Sequence, residues 1–182
     1  MKPAEPGQSP DEIFDVVDGQ DRVVGRDLRR EIHRRGLRHR AVHVFWLRPD
    51  GDLCLQRRSY AKDNSPGLLS SSCAGHVDAG EDYLSAVVRE LREELGIGLA
   101  AADFQEIDYA PCHAELGHEF VRSYLIGGRH STSLARAEVD ALLWRKPAEI
   151  EAWARTDPVL FAPPLLHLFR RPSIRAALGL PS

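Results

Sequence analysis

The chain has 182 residues, 43% of them hydrophobic, with a formal net charge of −3 and three cysteines. That composition suits one compact domain with short additions and excludes a strongly basic nucleic-acid binder. There is no apolar run long enough to span a bilayer, no hydrophobic secretory segment at the start and no Cys-x-x-Cys pair among Cys54, Cys73 and Cys112, which sets aside membrane, disulfide-scaffold and structural-zinc classes and leaves a cytoplasmic protein as the expectation.

Residues 1–10, rich in Pro, Gly and Ser, read as a flexible tail ahead of a single domain over residues 11–182. Two β-prone segments, 13–17 and 23–24, flank the turn Asp18-Gly19-Gln20-Asp21, and a short helix is expected over residues 27–35. The arginines from Arg22 to Arg40 concentrate positive charge. An anionic small molecule bound nearby accounts for them, and nucleic acid is not the expected partner.

Residues 41–47 are almost wholly apolar, and Arg48-Pro49-Asp50-Gly51-Asp52 turns the chain back into residues 53–58, predicting a hairpin at the heart of a sheet. Within it, His43 reads as a half-buried sheet histidine rather than a ligand. The polar stretch 57–67, bounded by Pro66-Gly67, reads as a loop that presents Arg58 and Lys62 to substrate phosphate, the first bidentately and the second as a point charge.

A glycine-rich turn then runs into a helix that ends at Gly96. At ~100° per residue, Leu84, Val88, Leu91 and Leu95 form one stripe while Glu90, Glu93 and Glu94 gather on another face. Such like charges repel by a few tenths of ~1 kcal/mol per pair, so a cation should compensate them, and hard divalent ions take carboxylate oxygen. The spacing is Gly75, five residues, Glu81, seven residues, Arg89-Glu90, two residues, Glu93-Glu94, one residue, Gly96 and an apolar Ile97. This resembles the complete Nudix box. The resemblance implies an α/β fold, a Nudix-type α/β/α sandwich with a mixed β-sheet and a short N-terminal β extension. It also implies Mg²⁺ or Mn²⁺ held through Glu90, Glu93 and Glu94, and action on a diphosphate linked to another moiety. Gly75, Glu81, Arg89 and Gly96 then support the box, Arg89 and Glu81 as an ion pair, with Glu81 a further candidate to reach the metal.

Beyond the box, residues 104–109 and 119–126 are strand-like, and the intervening loop 110–118 is the expected source of substrate selectivity. Residues 139–144 predict a strand, 147–154 a helix opened by Pro147, and 159–170 a terminal helix interrupted near Pro163-Pro164. Residues 12–127 also resemble the branch containing isopentenyl-diphosphate isomerase and its hydrolase relatives, through Ile32-His33, His39, Arg57-Arg58, Lys62, Pro66-Gly67, Cys73-Ala74-Gly75-His76 and Glu119. In those isomerases, histidines and acidic residues at such places hold a metal, and a cysteine directly before the box glycine takes part in the proton shift. Ala74 stands there in this chain. Cys73 is one residue out of register, which in a strand turns a side chain to the opposite face. His33 matches only loosely, so His39 is expected to cap the start of a strand and His76 to hydrogen-bond the box loop.

The chain thus reads as a metal-dependent hydrolase of a phosphoanhydride in a nucleoside diphosphate or its derivative. Glu93, Glu94 or Glu119 orients or deprotonates the attacking water, and the sequence does not choose among them. An isopentenyl-diphosphate isomerase-like enzyme and a non-catalytic diphosphate-binding module are the alternatives. Oligomeric state, a homodimer included, is left open.

Overall fold

The computed structural model describes residues 11–181, so the tail expected over residues 1–10 lies outside the described residues. β1 (Ile13–Val17) and β2 (Val23–Leu28) form an antiparallel two-stranded sheet of their own, and Asp18 closes its turn by accepting from the Gln20 and Arg22 amides at 2.8 and 3.1 Å. The helix expected from residue 27 begins later, as α1 (Arg29–Arg35), because Asp27 and Leu28 are still in the ladder opposite Phe14 and Ile13. Gly36, at φ 62°, ends it in the left-handed conformation that glycine adopts without strain.

Strand β3 (His39–Leu47) is the spine of the main sheet. It runs parallel to β8 (Glu119–Gly127) and antiparallel to β6 (Cys73–His76), and β8 pairs in turn with β7 (Gln105–His113). Strand β4 (Leu53–Arg58) pairs with β5 (Leu69–Ser70) and β9 (Val139–Arg145). The hairpin expected between β3 and β4 is therefore only a corner, joined at the single pair Leu47 and Leu53. Ser71 and Ser72 enter between the two strands and take over their hydrogen bonds. Ser72 N donates to Val44 O and Gln56 N to Ser71 O, while the Ser72 hydroxyl accepts from Trp46 N and donates to Cys54 O, both at 2.8 Å.

Both faces of β3 are covered, which is why its sequence is apolar without alternation. Val42, Val44 and Trp46 face α2 (Tyr83–Leu95), whereas Ala41 and Phe45 face the C-terminal helices. The buried stripe of α2 is Val87, Leu91 and Leu95 with Ala86. Val88 is only partly buried and Leu84 lies exposed, so the apolar face is rotated from the one expected. Each fully buried Leu or Val here is worth about 1.5–3 kcal/mol. Asp82 caps the helix by accepting from Ser85 N at 2.8 Å.

On the other side lie α3 (Pro147–Thr156), α4 (Pro163–Phe169) and α5 (Pro172–Ala177), each opened by a proline that needs no amide partner. The terminal helix expected over 159–170 with an interruption near Pro163-Pro164 is a 3₁₀ turn, Pro158–Leu160, and then α4, which opens at Pro163; α5 falls beyond the expected elements. The result is helix, mixed sheet, helix. Among the described residues, no helix is long and apolar enough to cross a membrane.

Candidate active site

Arg89 ties the turn after β6 to α2. Its Nε and Nη2 bind both oxygens of Glu81 at 3.0 and 2.8 Å, Nη2 also donates to the His76 carbonyl at 3.0 Å, and Nη1 reaches Glu90 Oε1 at 2.7 Å and Glu93 Oε2 at 3.2 Å. Burial works against this charge, but the carboxylates outweigh it and raise the Arg89 pKa. The Glu90 carboxylate lies directly beneath Gly75: a Cβ there would stand 2.0 Å from Glu90 Cδ. Burial, and then the nearby Glu94 charge, push the Glu90 carboxyl up in spite of Arg89.

Glu94 is 2% exposed and accepts from Lys62 Nζ at 3.1 Å, Gln56 Nε2 at 3.1 Å and Ala74 N at 3.3 Å. Lys62 also pairs with Glu138. Its ammonium is thus buried against two carboxylates, not extended from a surface loop towards phosphate, which corrects the arrangement expected for it. The reason is Glu138, a carboxylate distant in sequence that the fold brings beside Glu94. Glu93, by contrast, has a side chain 54% exposed.

Glu90, Glu93, Glu94 and Glu138 line one cleft together with Asp78. An all-oxygen donor set of this kind suits Mg²⁺ or Mn²⁺. Glu138 Oε1 is buried without a hydrogen-bond partner among the described residues, an oxygen that a cation would satisfy. Arg89 and Lys62 neutralise the cluster, so a bound cation would take over part of their role.

Beside this cleft, His33 from α1, His39 from β3 and His76 from β6 bring ligand atoms within 4.8 Å of one another. Glu119 Oε1 lies 3.2 Å from His76 Nε2 and 3.4 Å from His39 Nε2, and the Phe14 ring stacks on both imidazoles. His39 Nδ1 meets the Leu37 carbonyl at 2.9 Å and therefore donates there, which fixes the ring with Nε2 facing Glu119. His39 does sit at the start of its strand. His76, however, bonds Glu119 and not the box loop, and His33, loosely matched in spacing, joins the cluster because α1 packs beside β1. The buried Nε2 atoms of His33 and His39 have no hydrogen-bond partner among the described residues. Two such nitrogens beside a carboxylate fit a cation of the Mn²⁺, Zn²⁺ or Fe²⁺ kind. Burial lowers the His33 pKa and brings that of His76 to about 4, while the burial of Glu119 is outweighed by the adjacent His39 and His76 rings, which lower its pKa.

An inner cavity adjoins the cleft across Ala74, Gly75 and His76. Arg58 lines it, held by Nε on the Asn64 carbonyl at 3.0 Å, with terminal nitrogens that have no partner among the described residues. Cys73 pairs with Val44 and is buried on the α2 side, whereas Ala74 pairs with His43 and opens on the cavity, the alternation expected from the register. The sequence reading missed Glu138, Gln56 and Phe14. Gln56 alone left a signal, as the polar residue that follows the apolar run Leu53-Cys54-Leu55 on the same side of β4 as Cys54.

The family model for the NUDIX domain matches residues 37–176. An isopentenyl-diphosphate Delta-isomerase of Serratia proteamaculans is 32% identical over 154 residues, 81% of this chain and 77% of that protein. An uncharacterized Nudix hydrolase of Nostoc sp. is 34% identical over 143 residues, covering 78% and 85%. Among solved structures, DR0079 from Deinococcus radiodurans superposes with a TM-score of 0.70 at 27% identity over 80% of this chain and 90% of that one. The NUDIX domain of Shewanella oneidensis NrtR, complexed with ADP ribose, gives a TM-score of 0.56 at 16% identity, covering 76% and 86%, a likeness of fold.

Proposed function

From the premise that this chain belongs to the Nudix family, we propose that it is a metal-dependent hydrolase cleaving a phosphoanhydride bond in a nucleoside diphosphate or nucleoside-diphosphate derivative. The observation that carries the reading is the cleft of Glu90, Glu93, Glu94 and Glu138 opening onto a cavity that holds the free guanidinium ends of Arg58. Glu90, Glu93 and Glu94 would hold Mg²⁺ or Mn²⁺, which when bound supplies neutralisation of diphosphate charge and a lowered pKa for water. Arg58 donates to phosphate oxygens and orients them. Lys62, buried between Glu94 and Glu138, fixes those carboxylates for their task. Glu93 faces solvent water and takes its proton as it attacks phosphorus, with Glu94 and Glu119 as the other bases within the two cavities.

An isomerase acting on an isoprenyl diphosphate is the second reading, favoured by the His33, His39, His76 and Glu119 cluster. Against it stands Ala74, which brings no thiol to the cavity. Product analysis with Mg²⁺ on a panel of nucleoside diphosphates, ADP-ribose and isopentenyl diphosphate tests both. Hydrolytic release of a phosphorylated product from a nucleotide supports the hydrolase. Proton exchange on isopentenyl diphosphate without hydrolysis supports the isomerase, and binding without turnover of either leaves a binding module.

A further inference from the structure

Opposite Ala74 on the wall of the inner cavity stands His43, for which the hydrolytic reading has no task. It is 4% exposed and shares its face of β3 with His39 and Ala41. Its neighbours fix which nitrogen carries the hydrogen. Ser71 Oγ donates to the Cys73 carbonyl at 3.1 Å, and a carbonyl can only accept. The one hydroxyl hydrogen is thereby committed, so Ser71 Oγ, 2.8 Å from His43 Nδ1, accepts there. Nδ1 bears the proton, and Nε2 is a lone pair. Burial keeps the ring neutral by bringing its pKa down to about 4. Nε2 has no hydrogen-bond partner among the described residues, nor is it sealed from the cavity.

The cavity therefore offers an acceptor, His43 Nε2, beside the polar groups of Asn64, Ser65 and Ser70 and the small apolar walls of Ala41, Ala162 and Pro164, with Arg58 at hand for the phosphate. Among the described residues, its lining has no Phe, Tyr or Trp on which a nucleobase could stack. An isoprenyl chain placed here would strip water from His43 Nε2 and the neighbouring polar groups and return no hydrogen bond. A hydroxyl donates to His43 Nε2 and can itself accept from a polar neighbour such as Asn64 or Ser70.

We infer that the inner cavity is a subsite for the group attached to the diphosphate, and that His43 Nε2 selects a sugar or other polyol by accepting a hydrogen bond from its hydroxyl. This rests on the diphosphate-binding reading of the adjoining cleft and narrows it to the class of sugar-linked or polyol-linked diphosphates. His43 acts on specificity, not on the bond that breaks.

The test uses ADP-ribose and isopentenyl diphosphate as probes of the full chain. Binding is measured calorimetrically with Ca²⁺, which takes the same oxygen ligands, and hydrolysis is measured with Mg²⁺. Wild-type protein is expected to bind ADP-ribose at least about tenfold more tightly than isopentenyl diphosphate, the size of one unmade hydrogen bond. His43→Met, similar in volume but without a lone-pair nitrogen, should bind ADP-ribose about tenfold more weakly and show a KM about tenfold higher, keep kcat within about twofold and leave isopentenyl diphosphate binding unchanged. His43→Gln, whose amide oxygen reaches the Nε2 position, should recover most of the loss. A wild-type preference below tenfold overturns the assignment without any variant, which covers a His43→Met protein that does not fold. An unchanged KM in folded His43→Met overturns it while leaving the hydrolase intact. If ADP-ribose binds but is not cleaved, and the Met and Gln pattern holds in binding alone, the subsite stands and the hydrolytic reading falls.

Discussion

Glu93 and Glu94 are adjacent in sequence yet differ in what surrounds them, and their variants should differ accordingly. Glu93 projects towards solvent, so Glu93→Gln is expected to lower kcat by about 100-fold or more with an unchanged melting temperature. Glu94→Gln should lose turnover similarly but also melt several degrees earlier, since Lys62 is left with less compensation in a buried place. Calorimetric melting alongside steady-state rates separates the two, and an activity near wild type in Glu93→Gln at saturating Mg²⁺ would defeat the assignment. For Arg58→Ala we expect KM to rise about tenfold with a smaller change in kcat, because its contacts to phosphate persist through the reaction. Equal KM values in variant and wild type would return Arg58 to a structural part. Residues within one turn of helix, such as Glu90, Glu93 and Arg89, were legible because local spacing fixes their neighbours. The partner of Lys62 was not, since Glu138 reaches it only through the pairing of β4 with β9.

The strand β6 and the helix α2 meet where Gly75 lets the Glu90 carboxylate pass beneath the backbone. Gly75→Ala would place a methyl 2.0 Å from Glu90 Cδ, so the helix must shift or Glu90 must leave its position. We expect loss of nearly all turnover with the far-ultraviolet circular dichroism retained, and a fully active Gly75→Ala protein would refute this account of the glycine. At the start of α2, Asp82→Ala removes the cap on Ser85 N and should cost about 1 kcal/mol, read as a melting temperature lower by a few degrees. Elements with a clear apolar run or stripe were readable: β3, β4, α2 and β8 lie where the apolar pattern put them. The splayed β3–β4 corner was not, because hairpin signals report the turn and the flanking strands, whereas the separation is caused by Ser71 and Ser72 arriving from elsewhere. Towards the end, α3 and the break at Pro163 were readable from their prolines, but α5 was not, as closely spaced prolines mark where helices begin without saying how many there are.

For the molecule as a whole, His43 and His76 set an acid limit. Each has a folded pKa of about 4 against an ordinary 6.5. Above 6.5 both states are neutral and these groups contribute nothing to the balance. As pH falls below 6.5 the unfolded chain takes up the protons first, so stability declines down to about 4. The melting temperature of the metal-free protein should accordingly fall between pH 7 and pH 4.5, less steeply in His43→Gln, and a flat profile over that interval would contradict the buried neutral state. One feature of the whole also bears on how such chains diversify. The family match begins at residue 37, but Phe14, Arg29 and His33, which border the two cavities or the histidine cluster, lie before it. Part of the wall around the two cavities is therefore supplied from outside the stretch that identifies the lineage, so a chimera exchanging only the leading hairpin and α1 among relatives should change the surroundings of the histidine cluster while keeping the recipient's His43, Arg58 and glutamate cleft.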